Sequence, residues 1–219
     1  MSAPPGVRDL EQEAIERGRR LFSGPVRFLM GVVSLEQLPP AFPVEIAFAG
    51  RSNVGKSSLL NALTARHNLA RASNSPGRTR ELNYFVFGND DGLAAVDLPG
   101  YGYARVSRKL SGAWQRLVVD YLGSRRGLRR VFLLVDARRG LAAPDLELFD
   151  ILDQAAVAYQ IVLTKADKPR PIEVEEIAEA TRKAIARRPA AHPHIHITSA
   201  EKGTGLAELR ADIAALTVR

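Results

Sequence analysis

Gly50-Arg51-Ser52-Asn53-Val54-Gly55-Lys56-Ser57 fits the pattern GxxxxGK[ST]; an apolar run, Val44 to Ala49, precedes it, and helical spacing runs from Lys56 to about Arg66 after it. A buried strand that turns straight into a helix belongs to a parallel sheet, because the chain must cross the sheet face before the next strand can pair. The two glycines let backbone N–H groups approach an anion closely, and the helix N-terminus adds a favourable dipole. In a nucleotide site, Lys56 would lie between the β- and γ-phosphates, and the Ser57 hydroxyl would ligate Mg²⁺. The bare string also occurs in turns that bind nothing; the strand before it and the helix after it give it weight.

The rest of the chain keeps the same alternation. Leu82 to Phe87 and Leu93 to Leu98 read as strands around the turn Gly88-Asn89-Asp90-Asp91-Gly92, which makes the Leu82 strand the expected antiparallel member. Ser111 to Gly123 has helical spacing, with Trp114, Leu117, Val118, Tyr121 and Leu122 to one side. Further strands fall at Arg130 to Val135, Tyr159 to Leu163 and His194 to Ile197; helices fall at Pro144 to about Ala156, Ile172 to Arg187 and Gly205 to Leu216. The expected fold is α/β: a six-stranded, mostly parallel sheet with one antiparallel strand and helices on both faces. Residues 1–41 read as an N-terminal leader, partly flexible, and 42–219 as one globular domain. Within the leader, Leu10, Ala14 and Leu21 mark a weak helical face. Phe28 to Val33 fits an edge strand or a packing segment equally well, and Pro39-Pro40 closes it.

Composition excludes several classes. Apolar residues make up 46% and charged residues 25%, as expected for a globular chain and not a disordered one. With no cysteine, disulfides and thiolate metal sites are out, which suits a cytoplasmic setting. The first residues carry no apolar signal region, and runs such as AVAYQIVL are too short to span a bilayer, so membrane insertion is not expected. The net charge of +7 suits a nucleic-acid or anionic partner, but an Arg-rich composition alone would also produce it.

Four further stretches stand at the ends of strands or in the connection between them. Asp97-Leu98-Pro99-Gly100 closes the strand after the hairpin turn; Asp97 would reach Mg²⁺ through water, and Gly100 would offer its N–H to a γ-phosphate. Thr164-Lys165-Ala166-Asp167 fits [NT]KxD. The Asp167 carboxylate can accept from both the ring N–H and the exocyclic amine of guanine, whereas adenine would leave it unpaired. Lys165 would lay its aliphatic stem on the base. Thr198-Ser199-Ala200 would give a backbone N–H to the guanine oxygen. Ser75-Pro76-Gly77-Arg78-Thr79 lies in a polar connection, where Thr79 would supply a second Mg²⁺ hydroxyl only when a γ-phosphate is present. Taken singly, each is an ordinary turn. In this order they stand where a Ras-like P-loop GTPase needs them.

Two features bear on hydrolysis. Ras-like proteins place a water-orienting Gln just after DxxG; here that position is Tyr101. No group is therefore assigned as catalytic beyond transition-state support from Lys56, Gly100 and Asn53. The expected intrinsic rate is low, on the order of 10⁻⁴ to 10⁻³ per second.

The stretches GRSNVGKSSLLNAL, SPGRT, DLPGYGYARVS and VLTKADK together resemble the bacterial EngB (YihA) GTPases of the TrmE–Era-like group, over roughly Phe42 to Leu209. That resemblance implies GTP and GDP as ligands, Mg²⁺ held by Ser57 and Thr79, and a role in assembling the large ribosomal subunit. The partner would be a precursor particle of rRNA and ribosomal proteins. It places nucleotide contacts at Gly50, Arg51, Ser52, Asn53, Val54, Gly55, Lys56 and Ser57; at Gly77, Arg78, Thr79, Arg80 and Glu81; and at Asp97, Leu98, Pro99 and Gly100. It also places them at Thr164, Lys165, Ala166 and Asp167, and at Thr198, Ser199 and Ala200. Related GTPases with Asn at the place of Asn53 use a K⁺ ion beside the phosphates. This chain departs from the family where Arg80-Glu81 follows Thr79, since Gln and apolar residues are usual there. An rRNA partner would draw on Arg125, Arg126, Arg129, Arg130, Arg138, Arg139, Arg187 and Arg188. The other reading is a GTP-dependent module for cell division and septation with no RNA role. A monomer is the simplest state.

Overall fold

The computed structural model describes residues 7–66, 69–70, 81–88, 92–101 and 108–218. In chain order these form α1 (Val7–Ser23), β1 (Val26–Val32), β2 (Val44–Gly50), α2 (Lys56–Thr64), β3 (Leu82–Phe87), β4 (Leu93–Asp97) and α3 (Arg108–Ser124). Then come β5 (Leu128–Asp136), α4 (Ala143–Gln154), β6 (Tyr159–Thr164), α5 (Pro171–Ile185), β7 (His196–Ile197) and α6 (Leu206–Ala215).

Among the described residues the strands make one seven-stranded sheet in the order β1-β3-β4-β2-β5-β6-β7. β2 pairs in parallel with β4 and β5, β5 with β6, and β6 with β7. β3 is antiparallel to both β4 and β1, so it is the strand that runs against all the others, as expected for Leu82 to Phe87. The count of six is corrected to seven by β1. Its register shifts between Phe28 and Met30, and it is paired on one side only. A bulged edge strand has no clean two-residue alternation of apolar side chains, so its sequence does not announce it.

The sheet divides the core in two, and the pleat of its central strands explains how. In β2, Ala47 and Ala49 face one layer while Ile46 and Phe48 face the other; in β5, Val131, Leu133 and Val135 oppose Phe132 and Leu134. The first layer takes Leu117, Val118 and Tyr121 from α3 and Phe149 and Leu152 from α4. The second takes Leu59, Leu60 and Leu63 from α2, Leu209 and Ile213 from α6, and Phe22 from α1. Strands buried on both faces read as unbroken apolar runs, which is why these were legible.

α1 lies on α6 at very close range. A Cβ added at Gly18 would stand 2.6 Å from backbone atoms of Arg210 and Ala211, so the glycine is what allows the approach. Arg210 in turn donates from Nε and Nη2 to the carbonyls of Leu63 and Ala62 at 2.8 Å each, filling acceptors at the C-terminal end of α2. The helix that follows the phosphate loop is thus braced at its far end by α6.

Candidate nucleotide-binding site

The C-terminal ends of β2, β4, β5 and β6 converge at one edge of the sheet, where parallel sheets collect ligands. The phosphate loop leaves β2 at Gly50, which must be a glycine. A Cβ there would meet Val54 Cγ1 at 2.8 Å and the Leu134 carbonyl at 3.1 Å. Asn53 and Gly55 both have positive φ, 63° and 109°, which turns the loop back into α2. The Val54 carbonyl receives the Thr164 hydroxyl at 2.7 Å, so the end of β6 fixes the loop from the side.

Lys56 opens α2, with Ser57 beside it in the first turn. Its Nζ stands 2.7 Å from Asp97 Oδ1 at the end of β4, close but poorly aligned as a hydrogen bond. Burial pushes the Asp97 carboxyl up, against the pull of Lys56. A half-buried cation, a buried carboxylate and a hydroxyl thus share one corner. This donor set suits an oxygen-seeking divalent ion together with a phosphate chain.

Leu98 and Pro99 are buried and continue from Asp97, the Leu98 N–H reaching the Phe48 carbonyl at 2.9 Å. Gly100 then lies directly on Ser52: a Cβ would come within 2.9 Å of Ser52 Oγ. Tyr101 forms a short bridge with Arg51. The Ser52 N–H donates to the Tyr101 carbonyl at 3.1 Å, and the Tyr101 N–H to the Gly50 carbonyl at 3.3 Å.

Lys165 crosses the loop. Its backbone is left-handed (φ 57°), and its ammonium donates to the Asn53 carbonyl at 2.6 Å and to Asp136 Oδ2 at 3.0 Å. A Cβ at Gly55 would lie 3.4 Å from Lys165 Cε, so the loop glycine runs beneath the lysine stem. Asp167 is held by Ser199 Oγ at 2.6 Å and by Lys168 Nζ at 3.0 Å. The Ser199 hydrogen bond first, and Lys168 next, keep its carboxyl below the usual range, so at neutral pH it is a pure acceptor. Thr198 and Ser199 are buried, the Ala166 N–H meets the Thr198 carbonyl at 3.1 Å, and Ala200 is half-buried. An open cavity of about 690 Å³ lies between these loops and α2; Gly55, Leu59, Lys165, Asp167, Thr198 and Ala200 are among its lining.

The structure therefore brings together Gly50 to Ser57, Asp97 to Gly100, Thr164 to Asp167 and Thr198 to Ala200. Gly77, Arg78, Thr79 and Arg80 lie outside the described residues; Glu81 is exposed just before β3. Sequence reading missed Asp136, although its position at the end of an apolar strand, like that of Asp97, could have marked it. It also missed Asp145, which accepts from Tyr101 Oη at 2.8 Å and faces Arg51 Nε at 3.3 Å. An acid near a helix start reads as a cap, and nothing in the spacing shows what else it meets. Of the arginines proposed for RNA, Arg125 is committed to Glu45, Arg130 to Gln160 and Asp212, Arg138 to Asp136, and Arg188 to Asp150 and Asp153. Arg126, Arg129, Arg139 and Arg187 are exposed. None of the described helices is long and apolar enough to cross a membrane.

Residues 45–165 match the family model of the 50S ribosome-binding GTPase. A probable GTP-binding protein EngB of Hyphomonas neptunium is 58% identical, over 96% of this chain and 96% of its own length. One of Caulobacter vibrioides is 54% identical, over 98% and 93%. Among solved structures, a probable GTP-binding protein EngB superposes with a TM-score of 0.62 at 23% identity, covering 80% of this chain and 98% of that one. Era with MgGDPNP and a segment of 16S ribosomal RNA gives 0.63 at 24% identity, covering 80% and 57%. At those identities the solved structures speak for the fold alone, an α/β P-loop GTPase fold. The chain belongs to the EngB family of GTP-binding proteins and is a GTPase.

Proposed function

We propose that the protein is a guanine-nucleotide switch that docks on a precursor of the large ribosomal subunit, acting as a monomer in the cytoplasm. The observation that carries this is the match of residues 45–165 to a family described as 50S ribosome-binding GTPases. The net charge of +7 and the exposed Arg126, Arg129, Arg139 and Arg187 support an RNA-rich partner.

In this reading Gly50 to Ser57 wrap the phosphates, and Lys56 turns from Asp97 to the β- and γ-phosphates. Ser57, with Thr79 in the triphosphate state, holds Mg²⁺ directly, and Asp97 holds it through water. When bound, the ion neutralises charge on the phosphate oxygens. Ser75 to Thr79 form the first switch loop, and Gly77 to Glu81 contact the nucleotide. Asp167 reads guanine, Lys165 covers its face, and Thr198 to Ala200 close its oxygen side. Asn53 is exposed in the phosphate loop, and its carboxamide oxygen would be the ligand for a K⁺ ion beside the phosphates. Intrinsic hydrolysis is slow because Tyr101 stands in the place of the water-orienting Gln. Turnover measured in KCl and in NaCl at equal ionic strength checks the ion: equal rates would remove K⁺ and leave the ribosomal particle as the activator.

The second reading, a cell-division module without an RNA role, differs in one measurable respect. Binding to ribosomal particles through basic side chains releases counterions and falls steeply with salt. Co-sedimentation with purified particles across a salt series should show that dependence. A protein that stays in the supernatant at low salt with every nucleotide would sink the ribosomal reading.

A further inference from the structure

Asp145 lies in the first turn of α4, has no solvent exposure, and accepts from the Ala142 N–H at 2.8 Å. That single bond is all a helix start requires of it. The rest of the carboxylate serves two distant residues. Oδ1 accepts from the Tyr101 hydroxyl at 2.8 Å, and Oδ2 stands 3.3 Å from Arg51 Nε. The Arg51 guanidinium is steadied from its other side, where Nη2 donates to the Gly140 carbonyl at 2.7 Å.

Arg51 and Tyr101 belong to the two segments between which a γ-phosphate would be met: the phosphate loop and the residue after Gly100. Their backbones are already joined by two hydrogen bonds. The side chains then meet at one buried charge, which anchors both segments to the start of α4. Burial and the Asp145 charge together push the Tyr101 phenol up, so it remains a donor across the working pH range. Tyr101 stands where a Ras-like protein has its water-orienting Gln, yet its hydroxyl is committed away from the phosphates.

We infer that Asp145 is a positioning residue for the γ-phosphate side of the site: through Arg51 and Tyr101 it keeps the Gly100 peptide packed on the phosphate loop, so that the Gly100 N–H is preset for a triphosphate. This rests on the reading of Gly100 as the γ-phosphate contact. GDP has no γ-phosphate for that N–H to meet, so the effect belongs to the triphosphate state.

The test is binding of GDP and of a non-hydrolysable GTP analogue to the full chain carrying Tyr101→Phe, Asp145→Asn, or both, with thermal unfolding of each. Tyr101→Phe should weaken the analogue roughly tenfold, about 1.4 kcal/mol, and change GDP by less than about twofold. Asp145→Asn should act in the same direction. The double variant should be no worse than the poorer single one, because both break one connection. Should Asp145→Asn fail to fold, Tyr101→Phe decides alone. Equal losses for the two nucleotides, no loss for either, or additive losses would overturn the positioning role. Wild-type protein that binds no guanine nucleotide would instead overturn the reading of the site on which it rests.

Discussion

Lys165 and Asp167, two residues apart, use the same strand end for different purposes. Lys165 spans from Asp136 to the Asn53 carbonyl and so ties the phosphate loop to the base-side loop. Asp167 is steadied by Ser199 and Lys168 and turned toward the open cavity. A buried hydrogen bond to a charged acceptor is worth about 1.5–3 kcal/mol. Asp167→Ala should therefore cost GTP at least roughly tenfold in affinity and erase most of its advantage over ATP. Competition between the two nucleotides measures this, and an unchanged preference would contradict the role of Asp167. Asp136 offers a pH test. Burial raises its carboxyl, but Arg138 and Lys165 outweigh that and hold it below the range of an unfolded Asp, about 3.9. Its contribution to stability is thus complete above about pH 4 and is lost as pH falls further. Unfolding midpoints of Asp136→Asn should fall less between about pH 5 and pH 3 than those of the wild type. The motif residues were legible because their chemistry depends on local spacing. Asp145 was not, because Tyr101 and Arg51 lie far from it in the chain, and the part of Asp136 that ties it to the site, its contact with Lys165, is likewise set by the fold and not by local spacing.

At the level of elements, unequal burial decided what the sequence could reveal. β2, β5 and β6 lie inside the sheet and are apolar on both faces, so they stood out. β1 sits at the edge, with Phe28 exposed, and left two readings open that its pairing with β3 resolves. α1 is predominantly polar, and its tight seat on α6 depends on the absence of a side chain at Gly18, which no periodicity detects. Gly18→Ala should force α1 off α6 at a cost of about 1–3 kcal/mol, the usual range for overpacking. Denaturant unfolding checks that value. Nucleotide affinity should stay within about twofold, since α1 lines none of the phosphate or base loops described here.

At the scale of the whole molecule, the chain is basic and its nucleotide site lies at one edge of the sheet. Its order of motifs already implied the sheet and the site edge, because strand ends of a parallel sheet bring distant loops together. What that order could not supply is which charges face solvent. Four of the eight arginines considered for RNA pair with carboxylates of the same chain, three of them, Arg125, Arg130 and Arg188, through contacts between distant elements, while Arg138 stays exposed beside Asp136. Because the switch proposal joins nucleotide state to particle binding, purified large ribosomal subunits provide its most direct test. The protein is sedimented with them at fixed salt and Mg²⁺, loaded with a non-hydrolysable GTP analogue or with GDP. We expect the analogue-bound protein to pellet with the subunits and the GDP-bound protein to remain mostly in the supernatant. Equal pelleting of the two forms, or none of either, would contradict a nucleotide-controlled role in assembly.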